Sequence, residues 1–195
     1  MAMPSFIISG AVIATVCSLT LANAQAPTAP AAAPAPPPPP PPATKVEAFR
    51  PAAGSVITFG YNELGTIGYQ ISVDARELSD ARGVSVRGVA VTVIETQYRT
   101  EIAVVDADEI PELIRGMDAL LAVKANPTRY ENFEVRYTTK GELQLTVYGS
   151  GNKVSYSVRA GRVTTARAST NEDGFRKLRG MFEAASQLFA AQPAR

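Results

Sequence analysis

Five carboxylates, Glu101, Asp106, Asp108, Glu109 and Glu112, fall within twelve residues that include no Lys or Arg. Carboxylates are the common general acid/base groups left to this chain, because it has no histidine and its single cysteine is Cys17. A glycosidase-type pair or a calcium site would have to draw on these five. Their spacing suits neither. An EF-hand loop needs twelve residues with a central glycine, whereas Asp106-Ala107-Asp108-Glu109-Ile110-Pro111 runs straight into an amphipathic segment. Acids at the start of a helix are favoured by its macrodipole in any protein, which accounts for them without a site. The missing imidazoles and thiols exclude a cysteine nucleophile in the folded part, a Ser/His/Asp relay, a Cys/His zinc site and a haem held by His or Cys. No catalytic residue, cofactor or metal ligand is nominated, and the chain is expected to work by binding.

Opposite charge gathers toward the C-terminus. From Lys153 to Arg195 there are eight basic and three acidic residues, a net of +5 that leaves −4 on the stretch from Thr44 to Asn152. Arg176, Lys177 and Arg179 lie close together on one expected helix and are the candidate partner-binding residues, suited to an acidic envelope protein or an anionic envelope component. The alternative is an ordinary solvated helix face. Nucleic acid is not expected as a partner, since the whole chain carries a formal charge of only +1 and nucleic-acid domains are strongly basic.

The elements that must position these groups begin only at Thr44, because residues 1–43 carry no charged side chain. The apolar run from Phe6 to Leu21 is followed by Ala22-Asn23-Ala24, small residues where signal peptidase needs them, so residues 1–24 read as a secretory signal. Export to the periplasm or the medium follows. The run could instead be retained as an anchor, the one route to membrane contact, although 16 residues make a helix of about 24 Å against a hydrocarbon core of about 30 Å. Lipidation at Cys17 is a third course, disfavoured by the bulk of Val16. Residues 25–43 are almost wholly Ala and Pro and end in seven prolines, Pro36 to Pro42. Such a segment buries no core and stays extended as polyproline II, a tether rather than a domain.

Residues 44–195 form one globular domain, long enough to bury a sizeable core without covalent help. Period-two alternation marks strands at Val56 to Phe59, Ile67 to Val73, Val84 to Val93 and Tyr98 to Val104, with a bulge expected at Arg87-Gly88 and a turn at Gly60 to Gly65. Ile110, Leu113, Ile114, Met117, Leu120 and Leu121 make a helical stripe, with Asp106 and Glu109 as a capping pair. Four strands follow, Phe133 to Tyr137, Leu143 to Val147, Val154 to Val158 and Arg162 to Ala166. A second helix closes the chain, with Phe175, Leu178, Phe182, Ala185 and Phe189 inward and Ser169 with Glu172 as its cap. Tyr69, Tyr137 and Tyr156 alternate with aliphatic residues and read as core.

The expected fold is α+β, a mostly antiparallel sheet of about eight strands with two amphipathic helices on one face. The order ββββα-ββββα raises an internal duplication, traced only by Ile114-Arg115-Gly116-Met117 and Leu178-Arg179-Gly180-Met181. Function is expected to be that of an exported scaffold or adaptor on a proline-rich tether. An enzyme built on carboxylates or a Ser/Lys pair is the alternative, and a self-associating envelope protein is a third class.

Overall fold

Residues 40–49, 54–123, 127–151 and 153–192 are described by a computed structural model of the chain; residues 1–24, expected to be a secretory signal, and most of the Ala/Pro segment lie outside them. One turn of helix, α1 (Lys45–Ala48), precedes strands β1 (Ile57–Ile67), β2 (Ile71–Asp80), β3 (Ser85–Thr96) and β4 (Arg99–Asp106), then helix α2 (Ile110–Leu121). Strands β5 (Asn132–Thr138), β6 (Gln144–Ser150), β7 (Lys153–Ala160) and β8 (Ala166–Thr170) follow, and helix α3 (Glu172–Ala191) ends the domain. Eight strands are present, but two expected ones are displaced: Ile67 to Val73 straddles the β1–β2 turn, and β8 begins only at Ala166, where the expected strand from Arg162 ends. The eight divide into two antiparallel meanders, β1-β2-β3-β4 and β5-β6-β7-β8.

Each sheet turns one face inward. In the first, Ile71, Val73 and Ala75 of β2 pair with Val93, Val91 and Val89 of β3, and Val91 and Val89 pair in turn with Ala103 and Val105 of β4. In the second, Leu145 and Val147 pair with Val158 and Tyr156. All of these side chains are buried, and all but Ala75 join one core with the helix stripes Ile110, Leu113, Met117, Leu120, Leu121 and Phe175, Leu178, Met181, Phe182, Ala185. The two sheets meet along β3 and β4 of the first and β7 and β8 of the second.

The helices are exchanged. Helix α2 follows the first sheet in the chain but packs on β5 and β6 of the second, and α3 reaches β1, β2 and β3 of the first while also packing on β7 and β8, where Phe175 stacks on Tyr156, with α2 and α3 against each other. Neither half covers its own sheet with its own helix alone, so the core exists only when both are present. The contact is reciprocal in its detail. Gly116 of α2 lies under the Tyr137 ring of β5, so close that a Cβ there would sit 2.5 Å from it. Met181 of α3 reaches Gly65 of β1, where a Cβ would sit 2.8 Å from the methionine Cε. Gly65 and Tyr137 hold matching places, each on the first strand of its sheet opposite a buried aliphatic of the second, Val73 or Leu145. Small meets large in both contacts, with the sizes interchanged.

This geometry settles the meaning of the four-residue repeat. The buried positions of the helices superpose at an offset of 65, Ile110 on Phe175, Leu113 on Leu178, Met117 on Phe182 and Leu120 on Ala185, whereas the repeat aligns them at 64. One residue on a helix is a rotation of about 100°. Leu178 is therefore in the core where Ile114 is only half-buried, and Gly180 faces open space where Gly116 is pressed on a ring.

Several local expectations are corrected. Gly60 to Gly65 is part of β1, not a turn, and the hairpin turn lies at 68–70, which leaves Tyr69 82% exposed; Tyr156 is buried and Tyr137 packs on the core as expected. Gly88 stays in register with both Arg76 and Asp106, so β3 has no bulge at Arg87-Gly88. The parity change arises because Val86 faces outward and Val89 inward. Register breaks fall at Glu63/Gly65 and Ile94/Thr96 instead. Helix α3 is capped by Asn171, whose side chain accepts the Gly174 N–H, rather than by Ser169.

Candidate functional site

The acidic cluster is taken apart by the fold. Asp106 does not cap α2; its carboxylate accepts the backbone N–H groups of Lys45 and Val46 at 2.8 and 3.2 Å, 60 residues away in sequence. Glu109 stands at the N-cap of α2 and accepts the Lys140 N–H at 2.9 Å through one oxygen, while its other oxygen is buried without a hydrogen-bond partner. Asp108 pairs with Lys45 at 2.8 Å, and that hydrogen bond holds its carboxyl below the usual carboxylate range. Glu101 accepts the Thr164 hydroxyl. Among the described residues no group of three acids converges on a point where a metal could sit.

What these acids build is an anchorage for the segment around α1. Thr44 and Glu47 form a capping box around α1, and the Ala43 N–H also donates to Glu47 at 2.9 Å. Arg162 donates to the Pro41 carbonyl at 2.6 Å and reaches Glu47 at 3.5 Å. Val46 lies over Gly88, and Thr44 beside Gly141, which itself abuts the Val104 carbonyl. The segment leaving the prolines is thus clamped by Asp106 from the first half and Arg162 from the second.

The three helix bases share α3 without forming a free positive patch. Arg176 pairs with Glu172 at 2.5 Å. Arg179 is forked onto Asp118 of α2 at 2.6 and 3.1 Å and touches Glu183 at 2.8 Å, so it ties the exchanged helices together. The Arg179 hydrogen bond keeps the Asp118 carboxyl below its ordinary range. Lys177 alone of the three is exposed with no acidic partner among the described residues.

A feature that the alternation did not single out is the outer strand β1. Its first half and the residue before it expose Val56 at 73%, Ile57 at 36%, Phe59 at 51% and Tyr61 at 68%. Phe59 and Tyr61 stack with ring centres 6.0 Å apart, and the Arg76 guanidinium stands 5.7 Å from the Phe59 ring. Beside this strand, on the other face of the sheet, a cleft of about 260 Å³ opens between β1–β3 and the end of α3, lined by Asn62, Glu77, Arg87, Leu188, Phe189 and Gln192 among others. Arg87 caps α3 from there, donating to the Phe189 carbonyl at 3.1 Å and to that of Gln192, over the Phe189 ring. The signal was legible in retrospect: Val56, Ile57, Phe59 and Tyr61 with one acid, Glu63, near the strand's far end. Compared with known proteins, the chain matches no family model, no curated protein and no solved structure.

Proposed function

We propose that this chain is an exported, non-catalytic adaptor domain on a proline-rich tether, and that the β1 edge is where it takes hold of a protein partner. The observation that carries the reading is the contrast between the two outer strands. Edge strands normally avoid further pairing by being short or by carrying charge. Strand β5 has seven residues, turns Phe133 inward and places Glu134 and Arg136 on its outer side. Strand β1 has eleven, and its first seven, from Ile57 to Glu63, are all exposed. An extended segment laid along it would add a strand by main-chain hydrogen bonds. Its alternate side chains would meet Phe59 and Tyr61 on one face and the cleft on the other. Asn62 and Glu77 in that cleft have no described partner, so a basic or hydrogen-bonding side chain suits it.

The test is crosslinking in the native envelope followed by recovery of the chain, comparing wild type with Phe59→Lys and Tyr61→Lys in one variant and Arg176→Ser, Lys177→Ser and Arg179→Ser in another. The edge variant should lose its principal partner and the helix variant keep it. The reverse pattern would return the site to α3, and identical partner lists would refute both. Self-association is the second reading, favoured by the same edge. Two copies paired antiparallel about Gly60 would set Phe59 of each opposite Tyr61 of the other, and sedimentation would then show a dimer that the edge variant abolishes.

A further inference from the structure

We infer that the outer face of the second sheet binds an acidic polysaccharide, through guanidinium groups that the fold places over it. Alternation places Glu134 and Arg136 of β5, Gln144, Thr146 and Tyr148 of β6, Lys153, Ser155, Ser157 and Arg159 of β7, and Arg167 and Ser169 of β8 on this one face. Four bases meet one acid. Glu134 is taken by Arg136, whereas Lys153, Arg159 and Arg167 have no carboxylate partner among the described residues. Basic side chains of this length normally wave in solvent and lose much entropy on binding. Here two of them are already placed. The Arg167 guanidinium lies 4.7 Å from the Tyr148 ring centre. Arg167 is on β8 and Tyr148 on β6, so the side chain crosses β7, where Ser157 stands between Ser169 of β8 and Thr146 of β6. Ser157 is only 2% exposed and Thr146 only 1%, although both belong to the wet face. Arg159, directly paired with Arg167, extends the other way to the Gln144 amide oxygen at 3.5 Å.

Cations that rest over a ring or reach a neutral amide, instead of pairing with acids, keep their charge and most of their N–H donors for a ligand. Guanidinium forks match the two oxygens of a carboxylate, sulfate or phosphate group. Ser155 and Ser169 on the same face offer hydroxyls for sugar hydroxyls. The other polyanions fit less well. A protein interface wants an apolar centre, and this face has none. Single-stranded nucleic acid wants free aromatic platforms, and the face's one ring is covered by Arg167. A bilayer wants large apolar side chains to insert. A hydrated, acid-bearing glycan needs none of these. This site is independent of the β1 edge, since it lies on the other sheet.

The experiment passes the full exported chain over immobilised heparin and immobilised polygalacturonate, with dextran as the neutral control and a single-stranded oligonucleotide and anionic phospholipid vesicles as competitors. Wild type should be retained by both acidic glycans and not by dextran, and should elute as salt rises. The double variant Arg159→Ser, Arg167→Ser should bind about tenfold more weakly, as expected for losing two exposed charge-assisted forks. The double Arg→Lys variant retains the charge and guards against a folding defect; it should fall between the two, because an ammonium lacks the fork. Tyr148→Phe should bind like wild type, and Tyr148→Ser more weakly. Unchanged retention of the double Ser variant, full binding by the Lys variant, or stronger capture by oligonucleotide or vesicles would overturn the proposal.

Discussion

The two halves of this domain share one order of elements and differ in what they present to water. In the first, β1 leaves Phe59 and Tyr61 exposed on an edge that nothing described covers, while Asp106 on the same outer face is drawn under α1. In the second, the edge is short and the outer face is a field of arginine, serine and threonine. Their interiors differ far less, because each helix must fit the other half's sheet and both stripes repeat at the same spacing. A core shared by exchange ties the two halves to one another in volume, as Gly116 with Tyr137 and Met181 with Gly65 illustrate. The outward faces carry no such constraint. Two halves with the same order of elements can therefore differ in their outward faces at no cost to packing.

The largest effects should be equal in the two halves. Leu113→Ala and Leu178→Ala remove fully buried leucines at matching places, so each should cost about 2 to 5 kcal/mol in urea unfolding. Glu112→Ala, on the solvent side of α2, should cost no more than about 1 kcal/mol. A large cost at Leu113 with a small one at Leu178 would break the equivalence at an offset of 65. Substitutions of the two helix glycines should move in opposite directions. Gly116→Ala drives a methyl into the Tyr137 ring and should destabilise by about 1 to 3 kcal/mol, as overpacking does. Gly180→Ala meets open space inside a helix and should stabilise by up to about 1 kcal/mol. Matching losses would instead make the four-residue repeat structurally equivalent after all.

The smallest effect concerns the ion pair that joins the exchanged helices. Because Arg179 holds the Asp118 carboxyl below its ordinary value, the pair contributes above the unfolded carboxylate pKa of about 4 and its contribution fades as pH falls through the lower folded value. Asp118→Asn should therefore be less stable than wild type near neutrality, by at most about 1 kcal/mol for so exposed a pair, and equal to it in strong acid. Denaturant midpoints across pH 2 to 7 read this directly. A gap that persists at the lowest pH would mean that the cost of Asp118→Asn does not come from the carboxylate's charge.

Local chemistry made much of the fold legible. Eight strands and two long helices follow from periods of two and 3.6, since a half-buried element needs one apolar side whatever it packs against. The stripe from Ile110 to Leu121 and the buried Phe175, Leu178, Phe182 and Ala185 were visible for that reason. Charge legibility was poorer: three bases on α3 read as a patch, yet Arg179 finds its acid on Asp118, 61 residues earlier.

An amphipathic pattern states that a face is buried and is silent about its partner, so the sequence by itself determined the elements and their inward sides. Only the tertiary structure decided that α2 covers the second sheet and α3 the first, that Asp106 anchors α1 rather than capping α2, and that Arg167 lies across β7 on Tyr148. Each of these joins groups far apart in the chain or on non-adjacent strands, where proximity is set by packing and not by spacing.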